Sequence, residues 1–471
     1  MLSLIVRAPG HAIGRDWRSH KYVPFAALLT LCTTLIVVAY YVNHPGTEPR
    51  TDTWSYLYVV NRIQARGQIV NFWRLPGYPL FIVFIYTLVG QGNLAAVSVA
   101  QALLFILTTL ELYVLALLIL RRAWVAFLIG LTLGANIPLL SYMKPIMSEA
   151  LALWLLLSLA LAIMLFLSKP RTPSLWAVTA CLLLLVLTRP EWTYLPVPLF
   201  VYLLLIAARK GAARRLLLHA LASVALLYAV LGGYLYINTT QNHFRGITWI
   251  ENINMLGKVL QYHMQDEAPP QYARIRRTLD SYVAKDILDP YIILSYEPSL
   301  SHDYAAPAGQ FSQTIILHHP GEFAIKSVPV FFSSLTDYHE ESRIAPDGRF
   351  GPFLTWLRTI FRALYRWNIL FPLCAAIWLL VLCPRRTRNL DTVQKMGAIL
   401  VLSLYGLIVT TLGAYRGGDY MRIHILFDPL LILVIWVTLV LGVLLVKGLL
   451  VKGAKSPLHS QEKEREENVL V

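Results

Sequence analysis

Hydrophobic residues along this chain fall into long uninterrupted runs, separated by short polar turns and one long polar stretch. The runs lie near 22–42, 94–120, 123–142, 147–168, 174–189, 194–208, 214–237, 367–383, 396–414 and 424–446. About 20 apolar residues cross a hydrocarbon core. The pattern therefore predicts an all-α polytopic membrane protein with about 10 transmembrane helices. The first run is too long for a signal-peptide core and is followed by no small-residue cleavage site, so it reads as an uncleaved span. A further run, Tyr78–Val89, has only about 12 residues, the length of an interfacial segment. It is expected to be a juxtamembrane helix within 76–90.

Basic clusters then fix the orientation. Arg121-Arg122, Lys169 with Arg171, Arg209-Lys210 with Arg214-Arg215, and Arg385-Arg386 with Arg388 all sit between runs. With Tyr78–Val89 left out of the count, all four clusters and both termini lie on the cytoplasmic side, as the positive-inside rule requires. Counting it as a span would put every cluster outside. The expected organisation is a cytoplasmic N-terminus (1–21), a transmembrane core (22–237) with an external loop at 43–75, a large external loop (238–366), C-terminal transmembrane helices (367–446) and a cytoplasmic tail (447–471). The tail is charged and reads as disordered. Within the large loop, 254–288 is expected to form short amphipathic helices lying along the membrane.

Composition agrees: 57% of residues are hydrophobic and 14% charged, against about 25% charged in soluble domains. The net charge of +15 does not signal nucleic acid, because the excess lies in the clusters beside helix ends. Cys32, Cys181, Cys374 and Cys383 all fall in apolar runs without metal or disulfide spacing.

The polar residues that could carry chemistry gather on the external side. The first loop reads Thr47-Glu-Pro-Arg-Thr-Asp-Thr-Trp-Ser-Tyr and then Asn71-Phe-Trp-Arg-Leu-Pro-Gly-Tyr-Pro-Leu-Phe. Asp52 among aromatics can accept a proton from a hydroxyl nucleophile. The bland alternative is a solvated loop with interfacial Trp and Tyr anchors.

An acidic first external loop followed by Arg-x-Pro-Gly-Tyr-Pro-Leu-Phe resembles the GT-C glycosyltransferases, the polyprenyl-phosphate-sugar-dependent enzymes that include protein O-mannosyltransferases and aminoarabinose transferases. Tyr142 followed by Ser148-Glu149-Ala-Leu, Leu187-Thr-Arg-Pro-Glu191, and Arg416-x-x-Asp-Tyr-x-Arg422 extend the resemblance in order. It covers roughly 22–237 and 367–446, whereas 238–366 matches nothing and is the expected place for acceptor recognition. The resemblance implies a GT-C-like core and inverting transfer of a hexosyl or pentosyl group from a polyprenyl-phosphate-linked sugar to a hydroxyl on a lipid, glycan or protein acceptor. It makes Asp52 the general base, with Glu149 assisting. It assigns Arg74, Arg189, Arg416 and Arg422 to the phosphate, supported by Glu191, Asp419 and Asp428. Some relatives bind a divalent cation such as Mg or Mn through acids that map to Asp52 and Glu149, and others use none. Thr53 stands where the mannosyltransferases have a second acid, so the metal is left unassigned. The resemblance also implies an integral bacterial inner membrane protein with a periplasmic active site.

Other residues are weighed against plainer roles. Glu111 within a span is costly there but is expected to pair with a neighbouring helix. His318-His319 and Asp337-Tyr-His-Glu-Glu341 carry metal-capable groups without a recognisable spacing, and Asn238-Thr-Thr is a sequon. The competing classes are a transporter or flippase, and a polymerase or ligase, for lipid-linked glycans. A conduit calls for charge at mid-membrane and repeated halves; the spans here carry little charge apart from Glu111.

Overall fold

A computed structural model describes residues 22–341, 344–383, 390–415 and 420–446. The expected cytoplasmic N-terminus and tail, Arg385, Arg386, Arg388, Arg416 and Asp419 lie outside the described residues. The described residues are helical, with no strand among them, and the chain is an all-α membrane protein.

Helices α1 (Val23–Asn43), α4 (Leu94–Leu120), α7 (Glu149–Ser168), α10 (Ala213–Gln241), α18 (Asp391–Gly413) and α20 (Asp428–Val446) are each long and apolar enough to cross a membrane. So is the stretch Gly351–Leu382, made of α16 (Gly351–Tyr365) and α17 (Phe371–Leu382) joined through a 3₁₀ turn. That stretch passes through the loop boundary expected at 366. α5 (Ala123–Gly134) and α6 (Ile137–Met143) form one further apolar pair bent by 57°. Asn136 makes the break by capping α6, its side chain accepting from Leu139 N at 3.1 Å. α3 (Gly77–Val89), α8 (Thr172–Thr188) and α9 (Pro196–Arg209) are apolar but shorter. Seven helices thus qualify by length, eight with the bent pair; the expected ten are these eight plus α8 and α9.

The core packs as membrane bundles do, with small residues at close crossings. Gly130 and Gly134 of α5 face α1, and a Cβ on either would collide with Leu29 or Thr33. α7 is the most enclosed of the spans, lying against α4, α8 and α18. Its first residue, Glu149, is therefore held at the centre of the bundle end.

The loop between α1 and α3 contains α2 (Thr51–Arg66), closed by left-handed Gly67 (φ 65°). The described residues between 238 and 350 are also largely helical. It forms α11 (Ile250–Gln261), α12 (Ala273–Val283), α13 (Pro290–Tyr296), α14 (Pro298–His318) and α15 (Pro320–Thr336). α11 is amphipathic and packs on α13, α14 and α18, burying Ile253, Leu256, Val259 and Leu260. The sequon is closed off: Asn238 is buried, donating to the carbonyls of Gly246 and Ile247 at 3.0 and 3.1 Å.

Candidate active site

Six residues separated by up to 370 positions meet at one end of the bundle. Each is placed by its element. Asp52 lies in the first turn of α2, where a carboxylate also complements the helix dipole. The N-terminus of α2 is docked by Thr53, whose hydroxyl accepts from Arg50 N at 2.8 Å and donates to the Ile146 carbonyl at 3.0 Å. Tyr56, one turn on, donates to Ser148 Oγ at 2.9 Å. These two links set Asp52 beside the start of α7 and Glu149.

Arg74 is carried by the 71–76 turn, which Tyr234 of α10 clamps by donating to the Asn71 carbonyl at 2.5 Å. The next turn is tight: a Cβ on Gly77 would lie 2.8 Å from both the Leu187 carbonyl oxygen and Thr188 Cα. α3 is thereby seated on the C-terminus of α8, and Arg189 follows directly from that terminus. A Gly77→Ala variant is expected to lose on the order of 1–3 kcal/mol by overpacking. It should also misplace Arg189, lowering turnover by roughly 10- to 100-fold. Thermal melting in detergent and the transfer assay below check both effects.

The side chains alternate in charge. Arg74 Nη2 lies 2.6 Å from Asp52 Oδ1, and Arg422 Nη1 bonds the other oxygen of Asp52. Arg422 Nε continues to Glu149 Oε1 at 2.6 Å, which also accepts from Arg189 Nη1 at 3.0 Å. Arg189 Nε then bonds Glu191. The result is a chain of three guanidinium groups and three carboxylates, formally neutral and almost wholly withdrawn from solvent. Burial alone would raise the Asp52 pKa, but Arg74 and Arg422 outweigh it and hold the group at about 2. Burial likewise disfavours the Arg189 cation, but Glu191 and Glu149 more than compensate and keep it charged.

The lattice heads a cavity of about 510 Å³. Arg74, Arg189 and Arg422 line it, whereas Asp52 and Glu149 stand behind them. Its walls are largely apolar, with Ile408, Val409 and Leu412 from α18, Ile316 from α14 and Phe323 from α15. Asp52 keeps a quarter of its side-chain surface exposed while Glu149 has none.

Asp52, Glu149, Arg74, Arg189, Arg422 and Glu191 are thus brought together. Arg416 and Asp419 lie outside the described residues. Asp428 stands apart from the arginines: its carboxylate lies 3.3 Å from His424 Nδ1, and both side chains are buried. Glu111 accepts from Ser158 Oγ at 2.6 Å, pairing α4 with α7. The acidic segment from Asp337 serves the scaffold. His339 and Tyr142 share a hydrogen bond of 2.5 Å, and Arg50 Nε lies 3.4 Å from Glu341. His319 approaches Glu267 and Glu322, but Lys326 already holds Glu322 at 2.6 Å.

The residues do not fit a divalent cation between Asp52 and Glu149. Arg422 bridges the two carboxylates, and each acid has a second guanidinium on it. An ion there would face this positive cluster at close range.

Sequence reasoning missed Lys258 and Glu251 of α11, both lining the cavity. The available signal was a charge, Lys258, on the apolar face of an amphipathic stretch. Lys258 is 1% exposed.

No protein-family model matches the chain, and no curated protein matches it. Among solved structures it is similar to the apo oligosaccharyltransferase of Archaeoglobus fulgidus over 94% of this chain and 53% of that one, at 12% identity and a TM-score of 0.49. The oligosaccharyltransferase AglB of the same organism, in complex with an inhibitory peptide and a dolichol-phosphate, aligns over 93% and 52%, at 10% identity and a TM-score of 0.45. ArnT from Cupriavidus metallidurans bound to undecaprenyl phosphate aligns over 83% and 79%, at 15% identity and a TM-score of 0.38. The chain spans about half the length of the archaeal proteins it matches.

Proposed function

We propose that this protein is a GT-C-type membrane glycosyltransferase that moves a sugar from a polyprenyl-phosphate donor to an acceptor hydroxyl at the external face, periplasmic in a bacterial inner membrane. One observation carries the reading: three arginines, backed by carboxylates, form the head of a largely apolar cavity between the spans and the outer helices. Guanidinium groups bind phosphate oxygens in paired geometry, and the α18 wall suits the first isoprene units.

The two sides of the lattice divide the chemistry. On the cavity side, Arg74, Arg189 and Arg422 meet the donor phosphate and stabilise charge as it builds on the leaving oxygen. On the other side, the partly exposed Asp52 faces the acceptor. The acceptor oxygen attacks the anomeric carbon and gives its proton to Asp52. The bond from that carbon to the phosphate oxygen breaks, and polyprenyl phosphate leaves. A single displacement of this kind inverts the anomeric configuration. When the phosphate draws Arg74 and Arg422 toward itself, Asp52 loses the partners that keep its pKa low and becomes a better base. Glu149 holds Arg422 and Arg189 in place, and Glu191 orients Arg189. The region 238–366 closes the cavity from outside and supplies acceptor contacts.

The experiment is transfer by the purified protein from a radiolabelled polyprenyl-phosphate sugar, tested against lipid, glycan and peptide acceptors. The expected result is labelled glycoside and free polyprenyl phosphate in equal amounts. Movement of an intact lipid-linked sugar across a proteoliposome, with no cleavage, would overturn the reading in favour of a transporter.

A further inference from the structure

The arginine lattice leaves a question of charge. Its three guanidinium groups are matched by Asp52, Glu149 and Glu191, so it offers a phosphate directed donors but no net positive charge. Among the described residues the cavity lining holds one more cation and one more acid, Glu251, whose pKa burial raises. Lys258, on α11 of the large external segment, is almost completely buried and lines the same cavity. Its Nζ donates to Tyr262 Oη at 3.3 Å and lies 5.2 and 6.0 Å from the rings of Tyr262 and Tyr420. Among the described residues it forms no ion pair with a carboxylate. A buried ammonium with only a phenol and two ring faces for partners is unfavourable in the empty protein. An anion entering the cavity removes that penalty.

We infer that Lys258 supplies the uncommitted cation that binds the donor's phosphate, while the arginines chiefly orient it and hold the two acids. This inference rests on the lipid-phosphate reading of the same cavity. From α11 itself, Glu251 lines the cavity two turns earlier. Short helix α19 (Tyr420–His424) brings Tyr420 and Arg422, and α18 brings Tyr405. α14 contributes only apolar Ile316. Lys326 of α15 is turned away, donating to the Tyr262 carbonyl at 2.8 Å and pairing with Glu322. Asp289, beside α13, is engaged by Tyr415 Oη at 3.1 Å, and the Tyr415 ring packs on Gly257.

Burial lowers the Lys258 pKa to about 7, so the empty cavity holds a lysine near its half-charged point at neutral pH. The phosphate favours the charged form. Binding above about pH 7 therefore takes up a proton, and affinity falls as pH rises. Arginine at this position remains charged throughout the range.

The test measures binding of a sugar-free polyprenyl phosphate to the full chain in phosphatidylcholine nanodiscs, for wild type, Lys258→Met and Lys258→Arg, with polyprenyl alcohol and inorganic phosphate as comparison ligands. Lys258→Met should weaken polyprenyl phosphate by about tenfold or more and leave the alcohol unchanged. Measured relative to Lys258→Arg, which shares the ligand's own second ionisation at about pH 6, wild-type affinity should decline from pH 6 to pH 8.5. Equal affinity in Lys258→Met and wild type, with both melting normally, would overturn the inference. So would a pH dependence identical in wild type and Lys258→Arg, or a polyprenyl phosphate that binds no better than inorganic phosphate. The two claims fail separately. Lysine-dependent binding without sugar transfer removes the transferase and leaves the anion site, whereas transfer with lysine-independent binding removes only the role of Lys258.

Discussion

Asp52→Asn is expected to lower turnover by roughly 10²- to 10⁴-fold, the usual contribution of a positioned general base. Asparagine preserves the shape of the side chain and removes its basicity. The same substitution deletes a negative charge beside Arg74 and Arg422. Donor affinity should therefore stay level or tighten, because two guanidinium groups lose their internal partner while still lining the cavity. A merely structural Asp52 gives the opposite signature, with weaker binding and a lower melting temperature accompanying the loss of rate. The pH profile adds a second check. Asp52 is held at about 2 in the free protein, so kcat/KM should show no acid limb between pH 5 and 7. A carboxylate near its ordinary value would begin to show one toward pH 5. Steady-state kinetics with donor binding in parallel distinguish these cases.

Glu149→Gln is expected to cost on the order of 3–5 kcal/mol of stability, the range for breaking a buried ion pair from one side. Glu149 Oε1 accepts from Arg422 Nε at 2.6 Å and Arg189 Nη1 at 3.0 Å, and its side chain is fully enclosed. Neutralising it leaves two buried guanidinium groups facing one another with one carboxylate fewer between them. Both then drift from the positions that serve the phosphate, so activity falls along with stability. Size-exclusion behaviour and thermal melting read the first effect, and donor KM reads the second. A variant that melts with the wild type would show that the lattice is not held together through Glu149.

The spans and the gathering of Asp52, Arg74, Glu149, Arg189 and Arg422 at span ends were legible because each depends on local composition: long apolar runs and polar residues at run ends. The alternating order of the lattice was not legible. It depends on which helix ends meet, and that depends on small-residue contacts such as Gly77 against Thr188 and Gly134 against Thr33. The bland reading of the first loop hid α2, because a helix as polar as Thr51–Arg66 carries little apolar signal and is fixed by Thr53 and Tyr56 reaching the start of α7. Similarly, Arg358 and Arg362 interrupt the apolar character of α16, so the stretch that continues into α17 read as loop. Asp428 was expected to support the arginines on proximity in sequence. Among the described residues its carboxylate instead lies 3.3 Å from His424 Nδ1, four positions earlier. Lys258 lay in the region that matched nothing, where its place on the apolar face of α11 was the sole clue.

The central claim is that chemistry occurs here, with Asp52 as base, on a lipid-phosphate-linked sugar. The measurement that tests it most directly is a single-turnover, rapid-quench assay of polyprenyl phosphate release by wild type and Asp52→Asn, with donor and acceptor saturating. Wild type is expected to give one equivalent of polyprenyl phosphate and one of inverted glycoside. Asp52→Asn is expected to bind the same amount of donor and to release polyprenyl phosphate at least about a hundredfold more slowly. Equal release rates in the two proteins would contradict Asp52 as base, and a wild type that binds the donor and never cleaves it would contradict the glycosyl transfer itself.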